Sequence, residues 1–302
     1  MFDALPTAAC SYTPNAMAMR SDSTTRTDGV ADLLSGARYE LMPFESFDEE
    51  LQYLPDEAVV AVTTSPTLGI EATVEKTEAA AEAGYELAPH IAARYVEDRD
   101  HLDEILTRLS TVGVTDVFVP GGDREEPAGE FESAHGLLAA MEELGHDFEE
   151  VGITGYPEGH EFLDEDTLAT AMQRKEPHAT YIVTKLCYDP TAVVDWIDRV
   201  RDRGVGLPVE VGIPGVMNYQ RLVQISRKVG VGDSIDFLRK TSSVVGFVKR
   251  LVGSRGSYEP DDLVDGLAPY ADEEAYGIRG LHVYTFNNSE ATEGWRRRRL
   301  DG

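Results

Sequence analysis

Residues 151–160 read VGITGYPEGH, an apolar and β-branched run that leads straight into Tyr156, Glu158 and His160. A short buried strand that delivers an aromatic, a carboxylate and an imidazole at its end is how a parallel α/β protein builds a site. Other apolar runs end on comparable groups, namely Glu40, Thr63, His90, Asp123, Lys185 and His282. Glu40 lies among apolar neighbours in Tyr39-Glu40-Leu41-Met42-Pro43. Burial of its carboxyl costs energy unless the group is paired or protonated, and a protonated carboxyl suits a general acid. A strand-edge Glu reaching solvent is an equal reading. Asp123 follows Gly121-Gly122, where bare backbone can approach a ligand closely and the carboxylate can accept its hydrogen bonds. A plain Gly-Gly-Asp turn has the same sequence. His90 and His160 each follow a strand. With Asp123 and His282 they suggest a metal-dependent hydrolase built on His90, His160 and His282. No His-x-His on an early strand and no H-E-x-x-H accompanies them, so a metal ranks low. Arg174 and Lys175 close a helical pattern, where cations either complement the helix dipole or reach phosphates.

These residues need a scaffold that brings strand ends together. From Arg38 onward a short apolar run is followed by a helical pattern, again and again. The expected strands are 38–42, 58–63, 85–88, 116–119, 151–154, 180–184, 208–212 and 280–285. Between them, Leu102, Ile105, Leu106, Leu109 and Val112 follow helical spacing, as do Ala134, Leu137, Leu138, Met141 and Leu144. Strands alternating with helices imply parallel pairing and right-handed crossovers. Eight units in a chain of this length predict an α/β fold of the (β/α)8 TIM-barrel type. A doubly wound sheet competes, but no G-x-G-x-x-G follows the first strand. Between the seventh and eighth strands, helical patterns at 219–229, 234–252 and 261–274 predict extra helices. Residues 1–36 lack periodicity and read as a flexible N-terminal arm, leaving 37–302 as a single barrel domain.

The 302 residues are 42% hydrophobic, ample for a full core, and carry a net charge of −28. A surface this negative repels nucleic acid and anionic membranes, so neither is expected as a partner. Only six of the 27 basic residues are lysines. Many carboxylates with few lysines suit high salt, and the expected source is a salt-loving organism. Cys10 and Cys187 are too few for a disulfide framework or a Cys-rich metal site. No segment approaches the length of a membrane span and no leader pattern is present, so the cytoplasm is the expectation. The basic run Arg296–Arg299 reads as a solvated end; a contact in a homo-oligomer is the sharper reading.

Taken in order, these motifs resemble the methylenetetrahydrofolate reductases. The resemblance is carried by YELMP around Glu40, Pro89-His90, Gly122-Asp123, GYPEGH at 155–160, TKLCYD at 184–189, PVEVGIPGVMN at 208–218 and GLHVYTFN at 280–287. It implies a flavin-bearing barrel of one-carbon metabolism. Such a barrel reduces 5,10-methylenetetrahydrofolate with FAD and a nicotinamide donor, NADH or NADPH. By resemblance, Glu40 is the general acid and Asp123 lies near flavin and pterin. Thr63, His90, Gly122, Tyr156, His160, Arg174 and Lys175 fall at flavin-contacting positions. Lys185 and Tyr284 fall on the folate side. The chain departs from the family at Gly121, where an arginine is usual, at Lys185, where a glutamine is usual, and at Asn288, where an arginine is usual. A related pterin barrel doing methyl transfer or demethylation is the alternative on the same resemblance.

Overall fold

Amphipathic segments alternate with short apolar runs, and side-chain caps fix where four of the helices begin. Asp98 accepts from His101 N–H, Ser133 from Gly136 N–H, Asp164 from Thr167 N–H and Asp189 from Thr191 N–H. The computed structural model describes residues 23–160, 162–228 and 257–301. Helix α1 (Ser23–Ser35) precedes β1 (Arg38–Leu41), α2 (Phe47–Leu51), β2 (Val59–Val62), α3 (Gly69–Glu82) and β3 (Glu86–Leu87). Then come α4 (Arg99–Thr111), β4 (Asp116–Val119), α5 (Ala134–Leu144), β5 (Glu150–Gly155), α6 (Glu165–Lys175), β6 (Tyr181–Thr184), α7 (Pro190–Asp202) and β7 (Val209–Pro214). A two-stranded antiparallel ribbon of β8 (Met217–Asn218) and β9 (Ser257–Tyr258) follows, with α8 (Tyr219–Lys228) after β8 and α9 (Asp261–Leu267) after β9. The chain returns to the main sheet in β10 (Ile278–Tyr284) and ends in α10 (Ser289–Asp301).

The main sheet has eight parallel strands in the order β3-β2-β1-β10-β7-β6-β5-β4. Its two edges meet through a parallel bridge between His90 and Phe118, just past β3, with Ile91 N–H donating to Phe118 O and Phe118 N–H to Pro89 O. The sheet is therefore a nearly closed (β/α)8 barrel, which removes the doubly wound alternative. Every expected strand is present, with its ends moved by a residue or two. The helices pack outside it: Leu102, Ile105 and Leu109 of α4, Leu137 and Met141 of α5, and Val193 and Ile197 of α7 are all buried.

Three expectations need correcting. The arm expected through residue 36 is helical from Ser23, and Val30, Leu33 and Leu34 of α1 are buried. Its apolar signal is confined to one turn after a Ser/Thr-rich stretch; residues 1–22 lie outside the described residues. The helical pattern at 234–252 lies outside them too, and the 261–274 pattern stops at Leu267, where a 3-10 turn takes over at Ala268–Tyr270. The basic run is solvated at Arg297 and Arg298, 64% and 62% exposed, but all four arginines are paired: Arg296 and Arg297 with Glu293, Arg298 with Glu259, and Arg299 with Asp265. Among the described residues, no helix is long and apolar enough to cross a membrane.

Candidate active site

Side chains alternate along each barrel strand, so β1 sends Arg38 and Glu40 inward and Tyr39 outward. The outward Tyr39 hydroxyl donates to Glu293 of α10 at 2.6 Å. The inward Arg38 sits near the N-terminal end of the ring, where it pairs with Asp116 of β4 and, at 2.6 Å, with Glu210 of β7. Arg279 of β10 reaches the same Glu210 carboxylate at 2.8 Å. The Tyr181 ring lies 4.8 Å from the Arg38 guanidinium and 4.5 Å from that of Arg279, and its hydroxyl donates to Asp116 at 2.8 Å. Burial alone would empty such a layer of charge. Here each charge has a partner, and the network plugs one end of the barrel.

One turn of the pleat higher, the interior changes character. Glu40 has its carboxylate 3.2 Å from His282 Nε2 and 3.8 Å from His90 Nε2. The edge of Phe118 closes on His90 at 4.7 Å between centroids, and Tyr284 closes on His282 at 4.9 Å. A glycine at 212 makes room for Tyr284, since a Cβ there would stand 2.7 Å from its ring. Burial pushes the Glu40 carboxyl up to about 7, against a smaller opposing pull from His90. Burial likewise pushes both His90 and His282 down to about 4, so both imidazoles are neutral around pH 7. The three donor atoms lie within 4.8 Å of one another. The expected histidine trio is thereby corrected: Glu40, not His160, joins His90 and His282. His160 belongs to the loop after β5, with its ring 5.4 Å from Tyr156.

The backbone of Glu40 is held by residues that the sequence reading did not single out. Thr285 Oγ1 donates to Glu40 O at 2.6 Å. Asn287 pairs with Met42 like an extra strand residue, its Oδ1 accepting from Met42 N–H at 2.8 Å and its Nδ2 donating to Met42 O at 3.0 Å. To do so, Phe286 and Asn287 adopt φ of +50° and +54°. That left-handed conformation is tolerated by Asn and costly for Phe. The Asn287-Asn288 pair, with Thr285 and Phe286 between it and β10, marks a turn in the sequence but not the partners Glu40 and Met42. Asn288 is spent on structure, its Nδ2 donating to Val216 O at 2.6 Å.

Beside the mouth, over the ends of β4, β5 and β6, lies a cleft of about 1310 Å³. It is lined by Gly122, Asp123, Tyr156, His160, Arg174, Lys175 and Lys185, among others, so most of the expected site residues share one surface. Lys175 is buried, donates to Thr154 O at 3.1 Å, and has its amine pushed down to about 8 by that burial. Glu40, Thr63, His90 and Tyr284 are not part of this lining. Thr63 follows β2, with its N–H donating to Leu41 O at 3.0 Å. Tyr284 stands at the axis, its hydroxyl donating to Thr184 O at 3.0 Å and its phenol pushed up first by burial and then by the charges of Glu40 and Tyr156. The expected residues thus fall into two adjoining groups, an acid at the axis and a cation-bearing cleft to one side.

Known proteins match this arrangement in sequence. The chain is 24% identical over 232 residues to the probable methylenetetrahydrofolate reductase (NADH) of Oryza sativa subsp. japonica, covering 65% of this chain and 35% of that protein. Methylenetetrahydrofolate reductase 1 of Schizosaccharomyces pombe is 25% identical over 219 residues, covering 64% and 32% respectively. Methylenetetrahydrofolate reductase (NADH) 1 of Arabidopsis thaliana is 24% identical over 232 residues, covering 65% and 35%. The chain spans about a third of the length of these relatives. The family profile, described as methylenetetrahydrofolate reductase, matches residues 58–295. That span takes in every barrel strand from β2 to β10 and both groups of site residues except Glu40, and on its strength the chain belongs to the methylenetetrahydrofolate reductase family.

Proposed function

We propose that this barrel reduces the methylene bridge of 5,10-methylenetetrahydrofolate to a methyl group, with FAD in the cleft and NADH or NADPH as the electron donor. The observation that carries this reading is a carboxyl, Glu40, kept neutral up to about pH 7 beside two uncharged imidazoles. A carbon bridging two amine nitrogens must open to an iminium before it can accept hydride, and opening puts a proton on the departing nitrogen. Glu40 is the group placed to give that proton. His282, 3.2 Å away, keeps a hydrogen bond to Glu40 whichever of the two holds a proton. Phe118 packs on His90 and Tyr284 on His282 beside it, leaving the Glu40 side chain 13% exposed.

The cleft residues fit a flavin dinucleotide. Arg174 and Lys175 offer cations for a diphosphate, Gly122 offers unshielded backbone, and Asp123, Tyr156 and His160 offer hydrogen-bonding groups for rings and ribose. Thr63 and His90 sit at the neighbouring strand ends, and Lys185 and Tyr284 serve the folate side. When bound, the flavin supplies hydride transfer, and the protein orients it. The barrel of residues 37–302 would be the catalytic unit.

The test is direct. The purified protein is mixed with FAD and its visible absorption recorded, and the two half-reactions are then followed separately for wild type and Glu40→Gln. Flavin uptake, with donor oxidation intact and folate reduction lost in the variant, supports the reading. A protein that takes up no FAD, or a variant that reduces the folate at the wild-type rate, overturns it.

A further inference from the structure

The loop after β4 carries Asp123, and a 3-10 turn after β3, Ala93–Tyr95, is fastened to it by backbone and side-chain hydrogen bonds. Ala93 and Arg94 donate their backbone N–H groups to Pro120 O and Gly121 O at 3.0 Å. The Arg94 guanidinium donates to three carbonyls of the loop and its continuation: Arg124 O at 2.6 Å, Glu125 O at 2.5 Å and Glu132 O at 2.9 Å. Beside this staple, the Tyr95 hydroxyl donates to Asp123 Oδ1 at 2.5 Å. Tyr95 is only 5% exposed, whereas Asp123 is exposed on the cleft. Gly122, at φ +90°, presses its backbone on the Tyr95 ring, where a Cβ would stand 3.3 Å from Cδ2. The Arg124 guanidinium covers that ring at 5.4 Å.

An aspartate on an exposed Gly-Gly loop has several rotamers open to it, and solvent to share its charge with. A rigid, buried phenol donating to one oxygen selects one rotamer and leaves the other oxygen free to accept from a ligand. We infer that Tyr95 is a positioning residue that holds the Asp123 carboxylate in one orientation over the cleft, with the Arg94 staple keeping the loop in reach. This rests on the function proposed above, in which Asp123 meets the bound rings.

A double-mutant cycle of Tyr95→Phe and Asp123→Asn tests it, on full-length protein loaded with FAD. The readout is the single-turnover rate at which 5,10-methylenetetrahydrofolate reoxidises the reduced enzyme; FAD affinity is measured alongside. Tyr95→Phe slows that rate roughly tenfold, as expected for one hydrogen bond to a charged group. It leaves FAD affinity within about twofold and causes no further loss in the Asp123→Asn background. A loss of equal size in both backgrounds marks a merely structural tyrosine and overturns the inference, as does a wild-type rate in Tyr95→Phe. A wild-type protein that takes up no FAD sinks the proposed function itself, a result distinct from either.

Discussion

Glu40, His90 and His282 pull the pH dependence of stability in opposite directions. The Glu40 carboxyl titrates near 7 in the fold against 4.5 ordinarily, so the stability it contributes is present below 4.5 and lost as pH rises to about 7. The two imidazoles titrate near 4 against 6.5 ordinarily, so their contribution is present above 6.5 and lost as pH falls to about 4. Between 4.5 and 6.5 two histidines outweigh one glutamate, and the cluster gains stability with pH; between 6.5 and 7 only Glu40 still titrates, and it loses. Denaturant unfolding at a series of pH values should show that turn near 6.5, and Glu40→Gln should abolish the decline above it. Under the proposed function, the same titration would govern chemistry. Folate reduction should fall about tenfold per pH unit above 7, while oxidation of the nicotinamide donor does not follow it. Glu40→Gln should lower folate reduction by roughly 10²–10⁴-fold, read by stopped-flow absorbance.

The turn after β10 is the element that aims Glu40. Asn287 spends its side chain on Met42 and Ser46 and its backbone on a left-handed φ, so Asn287→Ala loses three bonds and meets strain at once. A cost of roughly 2–3 kcal/mol is expected in denaturant unfolding, together with slower folate reduction and unchanged FAD affinity. Sequence pattern read the β-strands well because burial on both faces leaves uninterrupted runs such as Val59–Val62 and Tyr181–Thr184, which little else produces. It read the turn poorly. Nothing in Thr285-Phe286-Asn287 announces that two of these residues bond back to a strand some 240 positions earlier. Helix α1 and the β8–β9 ribbon escaped for a related reason: α1 is held by α9, α10 and β10 at the other end of the chain, and β8 by a strand about 40 residues later. The cleft residues were legible as strand-end groups, yet sequence could not say that His160 faces the cleft while His282 faces Glu40. That division depends on the stagger of the barrel.

At the scale of the molecule, a net charge of −28 repels itself, and salt relieves that repulsion. Stability should rise between dilute buffer and molar KCl, as followed by thermal melting. In the plug, Arg38, Asp116, Tyr181 and Glu210 are buried beneath an exposed Arg279, and their pairing should not share that dependence. Arg38→Met leaves Asp116 and Glu210 undercompensated and should cost roughly 3–5 kcal/mol at any salt concentration. The circle of strands, finally, is closed between β3 and β4 by two ladder hydrogen bonds at the strand ends, those of the Ile91 and Phe118 amides, with the Arg94 staple gripping only the loops beyond. A fastening that thin works loose more often than the long seams between β10 and β7, so deuterium should enter at Ile91 and Phe118 before it reaches Val211 or Val283. Since His90 sits on the fastening and against Glu40, each momentary parting would open a further path between bulk water and a carboxyl only 13% exposed, and under the proposed function that path would return its proton.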